Sequence, residues 1–476
     1  MTSEITTSGD LAAGDKKSKL KVLIVGAGIV GLTLAQGCRE NGIEFEIVER
    51  DESGKRAQGW AITLHVSWFG LVWCGVVLGK EKEKGYWGVV FKKFGKNDWG
   101  EIIGVDTYGK SFLAGVKSCG IVLKLKRRRN ISEFTNESCT AAVDPALNDD
   151  DGNFLFLNAR TVEARYKIPP SKLRRRLDRQ KIRNLLATDL FIQEGKGLTS
   201  FTASTDFDSQ FVTAHFSDHS ESRATLIVGA DGNNSVTRRC LYQGTGTSEL
   251  TKLPVYCVGI VRPFTEAQIA AVRDIDPLLF QGLDPETGTY MWFSLQGIIP
   301  NADGSNSYTG LVVISWLIKD EIKDTMPRTD RERVLYVKRR AEGYAEPLRS
   351  IVQDIPEDIT TTPLRLSDWP CQEWDNWGGR VTLVGDAAHA MTMYRGEGAN
   401  HGILDAALLV DQLKKVQAGK ITQKEAIDAY EAEMRPRTHE AVLKSRQAAL
   451  DAHDWDGLTE NSPVIGGRFA PKTAFI

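Results

Sequence analysis

At 476 residues and 52.7 kDa the chain is long enough to bury a large core and to hold two or more domains. A formal net charge of −2 and a pI of about 6.4 leave no global field that would gather nucleic acid or an anionic membrane. Seven cysteines without C-x-x-C spacing and seven histidines without H-E-x-x-H spacing argue against a disulfide framework and a zinc site, and they fit a reducing compartment.

Residues 1–18 are rich in Thr, Ser, Gly, Asp and Lys and read as a disordered start with no apolar signal core. Residues 21–49 follow as strand, glycine turn, helix and strand. The apolar run 21–25 suits a buried parallel strand and is too short for a helix. Gly26, Gly28 and Gly31 then keep the G-x-G-x-x-G spacing: the first for a tight turn, the second for approach of a pyrophosphate, the third for close helix–sheet packing. The helix after them would aim its unpaired N–H groups and positive dipole end at that phosphate. Glu49 ends the second strand, where a carboxylate can accept hydrogen bonds from both ribose hydroxyls of an adenosine. This unit predicts a bound dinucleotide.

Residues 50–58 read as a charged loop and 59–65 as a strand returning toward the cofactor. Residues 66–120 keep neither a helical nor an alternating period and are dense in glycine and tryptophan. The apolar stretch 67–78 inside them is too short to span a bilayer, so a soluble cytoplasmic protein is expected. The basic run 124–129 reads as a solvated face and 141–151 as a loop. Residues 171–190 predict one helix with Ile182, Leu185 and Leu186 on a face and Asp178 available as a cap. Residues 225–228 predict a short buried strand. The runs 255–261, 289–295 and 309–318, separated by turn-rich spacers, predict an antiparallel sheet. A helix is expected over 330–351, a strand over 380–384, a helix beyond Gly402, and a last helical region over 423–452 interrupted at Pro436.

Two further acid-bearing turns follow buried strands. Asp231 lies in the Gly229–Asp231–Gly232 turn that leads to Arg238, and Asp386 follows Gly385 in a stretch continuing through His389 to Gly398, Ala399 and Asn400. Each sets a carboxylate at a strand's C-terminal end, where open α/β sheets bind ligands. With these residues the sequence resembles the single-component FAD-dependent monooxygenases, the aromatic hydroxylase-like family, and is most similar to the branch found in fungal secondary metabolism. The resemblance covers roughly 20–65 and 171–405.

The resemblance implies an α/β fold: a Rossmann-like FAD-binding domain, a substrate domain built on a mostly antiparallel sheet, and C-terminal helices. The expected boundaries are 20–250 and 365–420 for the FAD-binding domain, 251–364 for the substrate sheet and 421–476 for the C-terminal region. It implies Gly26, Gly28 and Gly31 at the FAD pyrophosphate, Glu49 at the adenosine ribose, and Asp231 near the pyrophosphate with a link to NAD(P)H use. It also implies Asp386 at the ribityl chain, Arg179 (with Ile182 and Leu186) at the phosphates, Ala61 near the flavin, and Ala399 and Asn400 at the isoalloxazine carbonyl end. His389 is expected to pack or hydrogen-bond against FAD rather than to act as a base. No catalytic side chain is assigned and no metal is expected. The implied cycle is hydride transfer from NAD(P)H to FAD, capture of O2 as a flavin C4a-hydroperoxide, and hydroxylation or epoxidation of an aromatic, terpenoid or indole-type molecule. Tyr256, Tyr290, Trp292, Phe293 and Trp316 are candidate substrate contacts, with Tyr290 and Trp292 on one face and Phe293 on the other.

Two departures stand out. Met393 occupies the place of a loop-stiffening proline, and 66–120 resembles nothing in the family. The second reads as the translation of a retained intron or a mispredicted exon, against a lineage-specific loop over the active site; a spliced mRNA that still encodes it would refute the intron. Rival functions are a flavin halogenase, whose W-x-W-x-I-P is absent, an isoprenoid reductase, and a non-catalytic binding module on the same fold.

Overall fold

A computed structural model describes residues 20–52, 154–168, 179–203, 211–243 and 247–466, together with the backbone of the short strands Ile62–Leu64, Leu78–Lys80, Trp87–Val89, Ile102–Val105, Ser111–Ala114 and Arg175–Leu177. The expectations for 1–18, Ala61, 124–129, 141–151 and Asp178 lie outside the described residues. Of 66–120, only two antiparallel pairs are described, Leu78–Lys80 with Trp87–Val89 and Ile102–Val105 with Ser111–Ala114.

Lys21–Val25 is the middle strand of a five-stranded parallel sheet. Glu44–Val48 and then Ile192–Gln193 lie on one side of it, Leu226–Gly229 and then Val381–Leu383 on the other. Its alternate side chains serve two cores. Val22 and Ile24 pack with the helices Ile29–Glu40 and Gly398–Gln417. Leu23 and Val25 pack with the meander Leu198–Ala203, Val212–Phe216 and Glu221–Ala224. Burial on both faces explains why the strand is apolar without alternation. The chain leaves the middle strand toward one side first and fills the other side later, so a topological switch point lies between Lys21–Val25 and Leu226–Gly229, at whose carboxyl ends such sheets bind ligands.

The second sheet has seven strands in the order Thr362–Asp368, Thr251–Phe264, Asn306–Leu317, Tyr290–Pro300, Leu279–Leu283, Phe154–Asn158, Ala164–Ile168. The three predicted runs coincide to within one residue with parts of its long antiparallel strands, and one pairing, Leu279–Leu283 with Phe154–Asn158, is parallel. Phe154–Asn158 and Ala164–Ile168 join it from outside the 251–364 stretch. Residues opposite one another in register share a face. One face carries Tyr256, Phe264, Phe293 and Trp316 and is covered by the helices Glu266–Arg273, Asp330–Arg340 and Leu348–Gln353: Trp316 packs on Tyr336, and Arg262 donates to the Ile351 carbonyl at 3.0 Å. The other face carries Phe154, Phe156, Gln281, Tyr290, Trp292 and Ser315, and meets Tyr394 and His453.

Three expected helices differ. Within 171–190, Arg175–Leu177 is instead a strand, paired antiparallel with Ile62–Leu64, and among the described residues of the stretch only Arg179–Leu186 is helical. A partner over a hundred residues away decides that segment, which local periodicity cannot register. The region 330–351 splits into Asp330–Arg340 and Leu348–Gln353. At the break, a side chain on Gly343 would meet the Arg160 guanidinium at 2.6 Å, and Pro347 has no N–H to continue the ladder. Conversely, Gln423–Asp451 runs unbroken through Pro436. The proline removes one backbone bond, while Ile427, Tyr430, Met434 and Val442 keep both halves buried.

Candidate functional site

Four strand ends meet along the carboxyl edge of the parallel sheet: Val48 leading to Glu49, Val25 to Gly26, Gly229 to Asp231, and Leu383 to Asp386. At about 4.8 Å per strand the row spans about 14 Å.

The three glycines differ as their spacing requires. Gly26 has φ of 105°, and a Cβ there would stand 2.5 Å from the Ala230 carbonyl. A Cβ on Gly31 would stand 2.0 Å from the Gly26 carbonyl. On Gly28 it would meet nothing within 4 Å, which is the opening an approaching diphosphate needs. Gly28 is the N-cap of Ile29–Glu40 and supplies no side-chain cap, so the first N–H groups of that helix are left to another acceptor. Glu49 braces the turn: its carboxylate accepts from the Ala27 N–H at 2.8 Å and the Asp51 N–H at 3.1 Å.

Asp231 builds its own loop. Its carboxylate accepts from the Ser235 hydroxyl at 2.5 Å, the Thr237 N–H at 3.0 Å and the Thr237 hydroxyl at 3.1 Å. A Cβ on Gly26 would lie 3.0 Å from the Asp231 Cα, which puts the two turns side by side. Arg238, fully buried, then ties this loop to the next. Its guanidinium donates to the carbonyls of Asn233, Asp386 (3.3 Å) and Ala387 (2.9 Å), and burial lowers its pKa to about 10. Asp386 is exposed to solvent although it is set deep among protein atoms. That depth pushes its carboxyl up from the ordinary range, while His389, Arg179 and Arg238 pull it down. Arg179 is itself exposed, at the start of its helix, and Arg183 one turn on donates to the Ala27 carbonyl at 3.2 Å.

The helix Gly398–Gln417 completes the edge. A Cβ on Gly398 would stand 3.6 Å from Asp386 Oδ1 and 3.5 Å from Met391 Cγ. Its N-cap Glu397 gives no side-chain cap, whereas Glu266–Arg273, Asp330–Arg340 and Gln423–Asp451 all carry capping boxes. Ala399 and Asn400 lie in this first turn, and Asn400 Nδ2 donates back to the Gly396 carbonyl at 2.9 Å.

Beneath it, Asp405 is a buried hub. It accepts from the Gly385 N–H at 2.9 Å, His389 Nε2 at 2.6 Å and Arg437 Nη2 at 2.7 Å. Burial opposes its charge, but His389 and Arg437 together hold it well below the usual carboxylate range. His389 thus commits Nε2 to Asp405. The loop between Ala390 and Glu397 is fixed by Thr392, which exchanges hydrogen bonds with Ser445 (2.7 and 2.9 Å), by Tyr394 on Ser315 (2.7 Å), and by Arg395 on Glu397 (2.9 and 3.0 Å). Arg183, Arg238 and Asp405 were not singled out from sequence; the one local signal was an arginine seven residues past Asp231.

Residues 19–445 match the model of the FAD binding domain family. The chain belongs to the FAD-dependent monooxygenases. It is 39% identical over 397 residues to the FAD-dependent monooxygenase dbaB of Emericella nidulans, covering 82% of this chain and 86% of that one. It is 29% identical to the FAD-dependent monooxygenase cctM of Talaromyces islandicus, over 94% of this chain and 95% of that one. Klebsiella pneumoniae HpxO, solved with FAD and uric acid, superposes with a TM-score of 0.61 at 17% identity, over 92% of this chain and 90% of HpxO, a likeness of fold. The enzyme is therefore a single-component FAD-dependent monooxygenase of the branch found in fungal secondary metabolism, with NAD(P)H as the family's co-substrate. Among the described residues no helix is long and apolar enough to cross a membrane.

Proposed function

We propose that the carboxyl edge of the parallel sheet holds FAD along its length and that the enzyme hydroxylates or epoxidises an aromatic small molecule seated on the sheet face of Tyr290 and Trp292. Glu49 takes the adenosine ribose, Gly26, Gly28 and Gly31 with the helix Ile29–Glu40 take the diphosphate, and Asp386 takes the ribityl hydroxyls. Arg179 offers a planar fork of donors to the phosphates. Asp231 acts through the loop it shapes, presenting backbone beside Gly26. The first turn of Gly398–Gln417, with Ala399 and Asn400, meets the isoalloxazine carbonyl end, where a helix N-terminus stabilises negative charge.

When bound, FAD supplies acceptance of a hydride from NAD(P)H and activation of O2. The protein orients the substrate, excludes water and balances charge. Tyr290 and Trp292 suit the substrate role because their face meets Tyr394, in the loop that leads into Gly398. Tyr256, Phe293 and Trp316 lie on the opposite face, which the three helices cover.

The observation that carries the proposal is the pairing of two uncapped helix starts, at Gly28 and Glu397, with the solvent-exposed Asp386 between them on one sheet edge. Purified protein is expected to be yellow, to release equimolar FAD on denaturation, and to oxidise NADPH faster when an aryl substrate is added, with an oxygenated product. Colourless protein that takes up no FAD on reconstitution overturns the proposal.

A further inference from the structure

Gln281 lies in the middle of strand Leu279–Leu283 and is fully buried. Its register partners are Phe156 on one side and Trp292 on the other, so its amide stands in a row of aromatic side chains on the face that meets Tyr394. Gln281 Oε1 accepts from the Tyr290 hydroxyl at 2.8 Å, whereas Nε2 is buried without a hydrogen-bond partner among the described residues.

The polar groups nearby are committed to one another. His453 Nδ1 lies 2.7 Å from the Ala449 carbonyl, which can only accept, so Nδ1 carries the proton and Nε2 is an acceptor. Ser315 therefore donates to His453 Nε2 at 2.9 Å, and Tyr394 donates to Ser315 at 2.7 Å. These donors all point inward and are used. The amide N–H groups of Gln281 are not, and a native fold keeps an unpaired buried donor where something else completes it.

We propose that Gln281 determines substrate specificity by donating an amide N–H to a ring-attached carbonyl oxygen on an aryl substrate whose ring lies among Phe156, Tyr290 and Trp292. The inference rests on the reading that this face fronts the substrate. It narrows the substrate class: a hydrocarbon terpenoid without an oxygen acceptor leaves the donor unpaired, whereas an acyl phenol satisfies it. A site built to bond a polar group rejects the analogue that lacks it more strongly than an apolar pocket rejects a missing methylene.

The test compares 2,4-dihydroxyacetophenone with 4-ethylresorcinol, the same ring with the carbonyl replaced by methylene, by titrating each into the FAD-loaded enzyme and following the flavin absorbance. Wild type is expected to bind the ketone about tenfold to a hundredfold more tightly. Gln281→Leu is expected to abolish that preference while FAD content stays as in wild type. Because this change removes the acceptor that the Tyr290 hydroxyl uses, the double variant Tyr290→Phe, Gln281→Leu serves if the single variant misfolds, with the same loss expected. Equal binding of both probes by wild type, the result if Nε2 is held by a structural water alone, overturns the inference, as does a variant that keeps the preference. If neither probe perturbs the flavin of a fully loaded enzyme, the reading of this face as the substrate side falls, and the inference with it.

Discussion

Gly28 and Gly31 stand three residues apart and meet opposite demands. Space is open at Gly28, whereas a methyl group at Gly31 would collide with the Gly26 carbonyl. Gly28→Val should therefore fold with nearly unchanged thermal stability yet bind FAD at least tenfold more weakly, by fluorescence titration. Gly31→Ala should lose about 1–3 kcal/mol in urea unfolding of the apoprotein, because overpacking strains the turn itself. Equal stability losses in the two variants would contradict this division. A second residue-scale prediction concerns His453, whose imidazole burial pushes down from 6.5 to about 4. Between those values the unfolded chain binds the extra proton, so the contribution is full above the unfolded pKa and is lost as pH falls toward the folded one. His401, lowered by burial and by Arg437, adds the same sign. Replacing His453 with Gln should reduce the stability difference between about pH 5 and about pH 7 by about 1–2 kcal/mol. An unchanged slope in urea unfolding would refute it. These roles were unevenly legible in the sequence. The glycine spacing carries its own geometry, but the hydrogen bonds of His453 come from Ser315 and Ala449, which no spacing connects.

At the scale of elements, the loop from Ala390 to Glu397 answers the departure at Met393. A proline there would stiffen the chain by fixing φ. In its absence, Thr392 on Ser445, Tyr394 on Ser315 and Arg395 on Glu397 hold the loop from below, all of them buried. Thr392→Val breaks the reciprocal pair with Ser445 and should cost about 1–3 kcal/mol of stability, with a matching loss of FAD affinity because the loop feeds Gly398. Met393→Ala, which touches none of these bonds, should leave FAD affinity within about threefold of wild type. The reverse ranking would show that the side chain at Met393, and not the buried anchors, seats the loop. The sequence also misjudged elements where a distant partner or a packed neighbour decides: Arg175–Leu177 is a strand because Ile62–Leu64 lies beside it, and Gln423–Asp451 continues through Pro436 because both halves stay packed.

For the whole molecule, the acid-bearing turns at Glu49, Asp231 and Asp386 were legible because each motif is local and follows a short apolar run. Their gathering on one edge follows from the parallel sheet that such runs build. The sides of the second sheet were not legible. Alternation separates Tyr290 and Trp292 from Phe293, yet only the helices packed on one face and Tyr394 on the other show which residues look toward the loop that leads into Gly398. Arg238 and Asp405, which join separate turns, were hidden for the same reason: their partners lie in other segments of the chain.

The most direct measurement of the central claim is a crystal structure of the enzyme reconstituted with FAD. It should show the diphosphate over Gly28, the ribityl hydroxyls at Asp386 and the ring at the start of Gly398–Gln417, facing Tyr290 and Trp292. FAD bound with its diphosphate away from Gly28, or with Asp386 facing no part of it, would contradict the account.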